Sequence, residues 1–118
     1  MLPTLEKFMA DHKAKQRGAS SNSYVRAQGF RDLYVRMGRR YLAGKTHDCV
    51  LDIANVTASK PGNGAFTRLV DDLHARGIPI YVESVLNERF ALKLPRMGFT
   101  ARLDVQPPCF YLLPKETT

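Results

Sequence analysis

A glycine-rich turn, Lys60-Pro61-Gly62-Asn63-Gly64, separates an apolar run (Val50 to Val56) from an amphipathic segment. The free amides at the start of a helix attract anions, and glycines let a phosphate approach the backbone closely. The order strand, glycine turn, helix, strand therefore predicts a site for a phosphorylated ligand. The turn is not a P-loop, because no Gly-Lys-Ser/Thr sequence follows, and it lacks the third glycine of a dinucleotide fingerprint.

Nucleophilic catalysis has little support in this sequence. Ser84 and Cys109 lack a histidine and an acid at a recognisable spacing. His47 falls in a predicted turn and His74 on the polar side of a helix, so both are expected to face solvent. The two cysteines, Cys49 and Cys109, are too few and too distant for a disulfide framework or a zinc site. They are predicted to be buried free thiols in a reducing compartment.

Two segments are predicted to form an antiparallel hairpin: one precedes the apolar run and the other contains it. Leu33 to Leu42 is typical of a strand, with a bulge or bend at Gly38. Cys49 to Val56 forms the second strand after a turn at residues 44–48. Alternation along this strand places Asp52 on the opposite face from Leu51.

The segment after the glycine turn has the pattern of a helix followed by a parallel strand. The helix is predicted over residues 64–76, Gly77 ends it, and Ile78 to Val85 is the next strand. Its buried stripe consists of Phe66, Leu69, Val70 and Leu73. Asn87 then caps a further helix, which Pro95 is expected to end early or kink.

The remaining segments complete a single predicted domain, residues 1–118. Residues 2–17 are predicted to form a helix capped by Thr4, so residues 1–18 are assigned to a peripheral N-terminal helix. Residues 19–30 are assigned to a linker and residues 31–114 to the core. The core ends in two strands, Thr100 to Val105 and Cys109 to Leu113. The N-terminus is too polar for a signal peptide and no apolar run has membrane-spanning length, so a cytoplasmic protein is expected.

The charge balance favours anionic partners. The 118 residues include 18 Lys plus Arg and 11 Asp plus Glu, which gives a net charge of +7. Phosphorylated cofactors, nucleic acids and acidic proteins are the classes of partner that such a surface attracts.

Two motifs in this order resemble the GNAT superfamily of acyl-CoA-dependent N-acetyltransferases, including its small phage-encoded members. The acyl-CoA signature corresponds to residues 59–64, in which Gly62 and Gly64 match. The second motif is the strand from Tyr81, then Asn87, a short helix and a terminal Gly98-Phe99. The resemblance covers about residues 33–113. It implies an α/β (α+β) fold with a mixed, mostly antiparallel twisted sheet, splayed central parallel strands, flanking helices and a truncated N-terminal half.

The resemblance also implies a site for acetyl-CoA or CoA between the splayed strands. The backbone of the first of these strands would hold the pantetheine arm, at Ala54, Asn55 and Val56. Amides of the glycine turn and helix start would hold the pyrophosphate, at Gly62, Asn63, Gly64 and Ala65. Lys60 and Arg68 would add positive charge, with solvated side chains as the alternative. Asn87 would touch pantetheine, although its role as a helix cap alone explains it.

Direct acetyl transfer to an amine then requires a base and an acid. Asp52 and Glu83, on the two central strands, are the candidate bases, because burial would raise either pKa; ion-paired carboxylates are the alternative. Leu94 occupies the position of the usual tyrosine acid, and Ser59 replaces the usual arginine or glutamine. Tyr81, Tyr111 or a water could supply the proton instead.

A GNAT-like binding module without turnover is the alternative function. Its partner would be anionic, either nucleic acid or an acidic host protein. Arginines and aromatics interleave between residues 24 and 41, as they do in proteins that bind single strands. In a strand-rich segment these aromatics are expected to be core residues, so acyl-CoA is favoured over nucleic acid. The basic residues are Arg26, Arg31, Arg36, Arg39 and Arg40, and the aromatic residues are Tyr24, Phe30, Tyr34 and Tyr41.

Overall fold

A computed structural model describes residues 1–16, 18–60, 62–83, 85 and 87–115. Within them the chain forms three helices and a six-stranded mixed sheet, which confirms the α+β class. The sheet order is β1-β2-β3-β4-β6-β5. The elements in chain order are α1 (Leu5–Lys13), β1 (Ser21–Tyr24), β2 (Phe30–Leu42), β3 (Lys45–Ala58), α2 (Ala65–Ala75), β4 (Ile80–Val82), α3 (Glu88–Arg96), β5 (Thr100–Arg102) and β6 (Cys109–Leu112). Arg17, Pro61, Ser84 and Leu86, each part of a prediction above, lie outside the described residues.

Strands β2 and β3 form the predicted antiparallel hairpin. Ala43 and Gly44 make the turn, with φ angles of 52° and 79°. Positive φ at both positions suits a two-residue hairpin turn, because it matches the twist of the strands. The register shifts between Gly38 and Arg40, which confirms the expected irregularity at Gly38.

Strand β4 joins β3 in parallel over only three residue pairs, from Leu51↔Ile80 to Ile53↔Val82. Glu83 then donates its amide to the Ile53 carbonyl (3.1 Å), and Val85 donates to the Pro108 carbonyl (2.9 Å). The chain after β4 therefore follows the β6 side of the sheet and leaves β3. The predicted strand Ile78 to Val85 is correspondingly shorter in the structure.

All three helices pack on one face of the sheet. This covered face carries the alternate residues Leu51, Ile53 and Val82, and it forms the main core with the helices. We call the opposite face, which carries Asp52 and Tyr81, the open face, because no helix among the described residues packs on it. The predicted stripe of α2 is confirmed: Phe66, Val70 and Leu73 are buried and Leu69 packs against them.

Both helix caps predicted from the sequence are present. The Thr4 side chain accepts from the amide of Lys7, and the Asn87 side chain accepts from the amide of Phe90. The early end expected at Pro95 is wrong, because α3 continues to Arg96. A proline in the last turn removes only one helical hydrogen bond, so it is tolerated there.

The linker predicted at residues 19–30 is also wrong, because it contains β1. Tyr24 pairs with Tyr34 of β2, and Ser21 pairs with Met37. Ser21 is buried, and its hydroxyl lies 2.7 Å from Nδ1 of His12 on α1. Helix α1 itself contributes its apolar side to the main core, so it is not a peripheral element.

The two cysteines are free thiols, as predicted, but only one is buried. Cys109 lies within β6, whereas Cys49 is exposed. Because β4 begins opposite Leu51, the first residues of β3 extend beyond it and, in the described part of the chain, have no neighbouring strand on that side. Within the described residues, no helix has the length and apolar character needed to cross a bilayer.

Candidate functional site

Among the described residues, the second half of β3 has a strand neighbour on one side only. Its residues pair with β2, for example Leu33↔Val56, while the described part of β4 pairs with β3 no further than Ile53. The backbone from Ala54 to Val56 therefore offers donors and acceptors along the edge where β4 has left. Backbone groups at such an edge bind water or an extended ligand.

A cavity of about 420 Å³ lies beside this edge, between the ends of β3, α2 and α3. Phe66 and Phe90 meet edge to face there, with their ring centroids 4.8 Å apart. The cavity is lined by Phe30, Val56, Ala58, Gly62, Phe66, Asn87, Arg89, Phe90 and Lys93. It is apolar inside and bordered by the glycine turn and cationic side chains, which suits a ligand with an apolar arm and an anionic end.

The glycine turn starts helix α2 without a side-chain cap. Gly62 and Gly64 have φ angles of 82° and 78°, a conformation that favours glycine. Gly64 is the N-cap residue, and no side chain accepts a hydrogen bond there. Arg68 donates to the Asn63 carbonyl (3.0 Å) and so holds the turn against the helix. The amides of the first turn are thus left for solvent or an anion.

Four cations surround the cavity and the turn: Lys60, Arg68, Arg89 and Lys93. In the described part of the chain, none of them forms a salt bridge. The arginines of the open face differ, since Arg36 and Arg40 each pair with a carboxylate. Part of the excess positive charge of the protein therefore lies where a polyanion would meet the helix starts.

Two carboxyl groups meet on the open face at the point where β3 and β4 separate. Asp52 lies in β3, opposite Arg36 of β2 and Tyr81 of β4. It is buried, and its Oδ2 accepts from Nη2 of Arg40 at 2.8 Å. Glu83 follows β4 directly, and its Oε2 accepts from Nη1 of Arg36. The two carboxyls therefore lie on the same face, with Glu83 two positions beyond Tyr81, the register partner of Asp52.

The pKa of Asp52 is raised from 3.8 to about 7, chiefly by burial. The neighbouring Glu83 carboxyl contributes to this rise, while Arg40 and Arg36 oppose it. Oδ1 of Asp52 is buried and has no hydrogen-bond partner within the described residues. Asp52 is therefore poised to hold or release one proton near neutral pH.

The structure brings together both candidate bases predicted from the sequence. The alternative interpretation also holds, because each carboxyl is ion-paired. Leu94, at the position of the usual acid, is completely buried in the main core. The Tyr81 hydroxyl accepts from Nη1 of Arg102 (3.2 Å), and burial raises the pKa of Tyr81. A tyrosine whose pKa is raised is a weaker proton donor.

The predicted cofactor residues divide into three groups, with Ala65 as an exception. Val56, Gly62 and Asn87 line the cavity. Lys60, Asn63 and Gly64 belong to the turn beside it, and Ala54 and Asn55 lie along the adjoining strand edge. Ala65 differs, because its side chain is buried: a Cβ added to Gly29 would lie 2.7 Å from the Ala65 Cβ. Ala65 is therefore packed towards the β1–β2 connection instead of lining the cavity.

Two further sequence expectations are wrong. His47 and His74 are half-buried, and their Nε2 and Nδ1 atoms, respectively, are buried without a partner in the described residues. The aromatics expected in the core are also partly outside it, because Tyr24 is 46% and Tyr41 67% exposed.

Sequence reasoning missed the arginines that hold the carboxyl pair. Arg40 also lies over the ring of Tyr81, with its Cζ 3.9 Å from the centroid. Arg36 is the register partner of Asp52, and Arg40 lies on the same face because residues an even number of positions apart share one side of a strand. The alternation of β2 combined with the hairpin register would have found them.

Comparison with protein-family models, with curated proteins and with solved structures finds no match to this chain.

Proposed function

We propose that this protein is a GNAT-like acyl-CoA-binding protein that transfers an acetyl group from acetyl-CoA to an amine. The observation that carries the proposal is the separation of β3 and β4 after Ile53 and Val82, with the cavity and the carboxyl pair at that point. The order β3-β4-β6-β5, with its single parallel pair, supports the same arrangement.

In this proposal the cofactor spans the gap between the two strands. Its pantetheine arm pairs with the free edge of β3 at Ala54 to Val56 and fills the apolar cavity. Its pyrophosphate lies at the start of α2, where Gly62 and Gly64 leave the amides free. The four unpaired cations neutralise the phosphates, as charge-assisted hydrogen bonds do elsewhere.

The acetyl group then reaches the open face beside Glu83. The amine nitrogen attacks the thioester carbonyl, a C–N bond forms, and the C–S bond breaks to release the CoA thiolate. The proton of the amine passes to the carboxyl pair, and the thiolate takes a proton from water. Glu83 contacts the amine, because its side chain is 25% exposed whereas that of Asp52 is 5% exposed. Asp52 sets the proton affinity of the pair from behind it.

A binding module without turnover is the second candidate. Two observations favour it: both carboxyls are held by arginines, and Leu94 offers no proton. Its ligand would be the same polyanion, or an acidic partner, at the cationic cavity.

Thermal unfolding with acetyl-CoA tests the binding step. We expect saturating acetyl-CoA to raise Tm by several degrees, since a ligand that binds only the native state stabilises it. Lys93→Glu should weaken this affinity by about tenfold or more, because it replaces a cation at the cavity with an anion. Lys13→Glu is the matched control, because both lysines lie in the last turn of a helix.

The two candidates separate in a second measurement, the release of free thiol from acetyl-CoA in the presence of amines. Release above the rate without protein supports acetyl transfer. A rise in Tm without thiol release contradicts acetyl transfer and supports the binding module. No rise in Tm with acetyl-CoA or CoA contradicts both forms of the acyl-CoA proposal.

A further inference from the structure

Two tyrosines form an aromatic surface on the open face, beside the carboxyl pair. Tyr24 of β1 and Tyr34 of β2 are register partners, and their ring centroids are 4.9 Å apart with a tilt of 55°. The neighbouring pair Ser23↔Val35 directs Val35 into the main core, so the tyrosines point to the opposite face. We call Tyr24 and Tyr34 the tyrosine platform.

The platform is accessible and fixed in place. Tyr24 is 46% exposed, so a ligand can reach its side chain. The Tyr34 hydroxyl donates to Oδ1 of Asn22 (3.2 Å), which fixes one ring beneath the exposed one. An uncovered, ordered aromatic pair can stack against a second flat ring.

Arg36 connects the platform to the carboxyl pair. Its Cζ lies 5.5 Å from the Tyr34 ring centroid, and its Nη1 donates to Glu83. One guanidinium group therefore spans the distance between the Tyr34 ring and the Glu83 carboxylate. Arg36 is half exposed, so a ligand can reach the same contacts. A ligand whose cation lies beside Glu83 and whose body lies on the tyrosine platform would make the same two contacts that Arg36 makes.

We propose that the open face binds the acceptor, and that the acceptor is a small primary amine carried on a short arm from a planar ring. This inference rests on the acetyl transfer proposed above. Glu83 attracts the ammonium form and receives its proton, while the planar ring stacks on Tyr24 and Tyr34. The site should select a flat ring over an aliphatic ring, because an aromatic pair has a more favourable interaction energy than an aliphatic contact of equal area.

A matched pair of amines tests the inference. Phenylethylamine and cyclohexylethylamine share the arm and the amine and differ in whether the ring is flat. We expect kcat/KM with acetyl-CoA to be roughly 3- to 10-fold higher for phenylethylamine. Tyr24→Leu should bring this ratio close to one, and Tyr24→Phe should keep it. The affinity for acetyl-CoA should stay unchanged in both variants.

Tyr41→Leu is the control, because Tyr41 is even more exposed but lies at the far end of β2, next to the hairpin turn. It should retain the wild-type ratio. A ratio of one in the wild-type protein, or one that Tyr24→Leu leaves unchanged, would overturn the platform.

Saturation-transfer NMR with both amines and CoA separates this inference from the proposed function. Preferred binding of phenylethylamine without any thiol release supports the platform and overturns acetyl transfer. Thiol release with neither ring preferred supports transfer and overturns the platform. Binding of neither amine also overturns the platform.

Discussion

The two faces of the sheet differ in what holds them together. The covered face is apolar: Leu51, Ile53 and Val82 pack against three helices without a buried charge between them. The open face combines a smaller apolar cluster around Tyr81 with polar contacts, in which Arg36 and Arg40 each bind a carboxylate and Arg40 also lies over Tyr81. Alternating residues of the same strands supply both faces.

This difference separates stability from chemistry. Apolar burial is non-directional and sums over many residues, so the covered face sets most of the free energy of unfolding. Paired charges on a sheet contribute little net stability, but they place protons and dipoles accurately. Substitutions on the two faces should therefore affect different measurements.

The largest effect is expected on catalysis, from Glu83→Gln. The amide keeps the shape and an acceptor for Arg36, but it cannot take a proton from the amine. We expect the rate of thiol release to fall by about 10²- to 10⁴-fold with little change in Tm. Asp104→Asn is the control, since Asp104 is an exposed carboxylate held by Arg102 away from the strand separation. Equal rates for wild type and Glu83→Gln would exclude Glu83 as the base.

On the covered face the corresponding substitution is Leu51→Ala. Leu51 is completely buried, so its truncation leaves a cavity and should cost about 2–5 kcal/mol in the free energy of unfolding. Chemical denaturation followed by circular dichroism measures it. Leu103→Ala, at a position 84% exposed, should change stability by less than about 0.5 kcal/mol. Similar losses from both would contradict the assignment of stability to the covered face.

The raised pKa of Asp52 predicts a dependence of stability on pH. The native state keeps this proton up to about pH 7, whereas the unfolded chain releases it near 3.8. Between these values the native state binds more protons, so the free energy of unfolding should decrease as pH rises, by at most a few kcal/mol. Asp52→Asn should flatten that slope. Urea denaturation across this range measures it, and an unchanged slope in the variant would place the titration elsewhere.

The smallest effect concerns Asn87, which caps α3 and lines the cavity. Asn87→Ala should cost about 1 kcal/mol through loss of the cap. Asn87→Asp keeps the cap and adds an anion beside the cationic cavity, so it should weaken acetyl-CoA binding without destabilising the protein. Thr4→Ala, the matched cap on α1, should lower stability and leave the affinity for acetyl-CoA unchanged. Unaltered affinity in Asn87→Asp would show that Asn87 acts only as a cap.

Local signals in the sequence predicted the elements of the fold well. Thr4 and Asn87 bond to amides three residues ahead, and the stripe of α2 repeats within one helix. These interactions depend on neighbours in the chain, so the residue pattern contains them. Strand β1 escaped prediction because Ser21–Tyr24 has no alternation of apolar residues, and its pairing with β2 makes it a strand.

The candidate site was predictable only in part, because its contacts are distant in sequence. The carboxyls were found by their positions on the two central strands. Their partners were not, since Arg36 and Glu83 are 47 residues apart and the register between β2 and β3 decides which arginines lie near Asp52. The exposure of Tyr24 and Cys49 depends on which faces and edges lack a covering element, and strand propensity does not contain that information.

Strand β4 is only three residues long, and it is the link between the β1-β2-β3 and β6-β5 parts of the described sheet. Each side of this link has three residue pairs. The angle between the two parts therefore depends on this one short strand, whose three residues are all buried. A molecule lying across the gap beside β4 would hold the two parts at a fixed angle. Occupancy of the gap would then be visible as slower amide hydrogen exchange in β4 and β6.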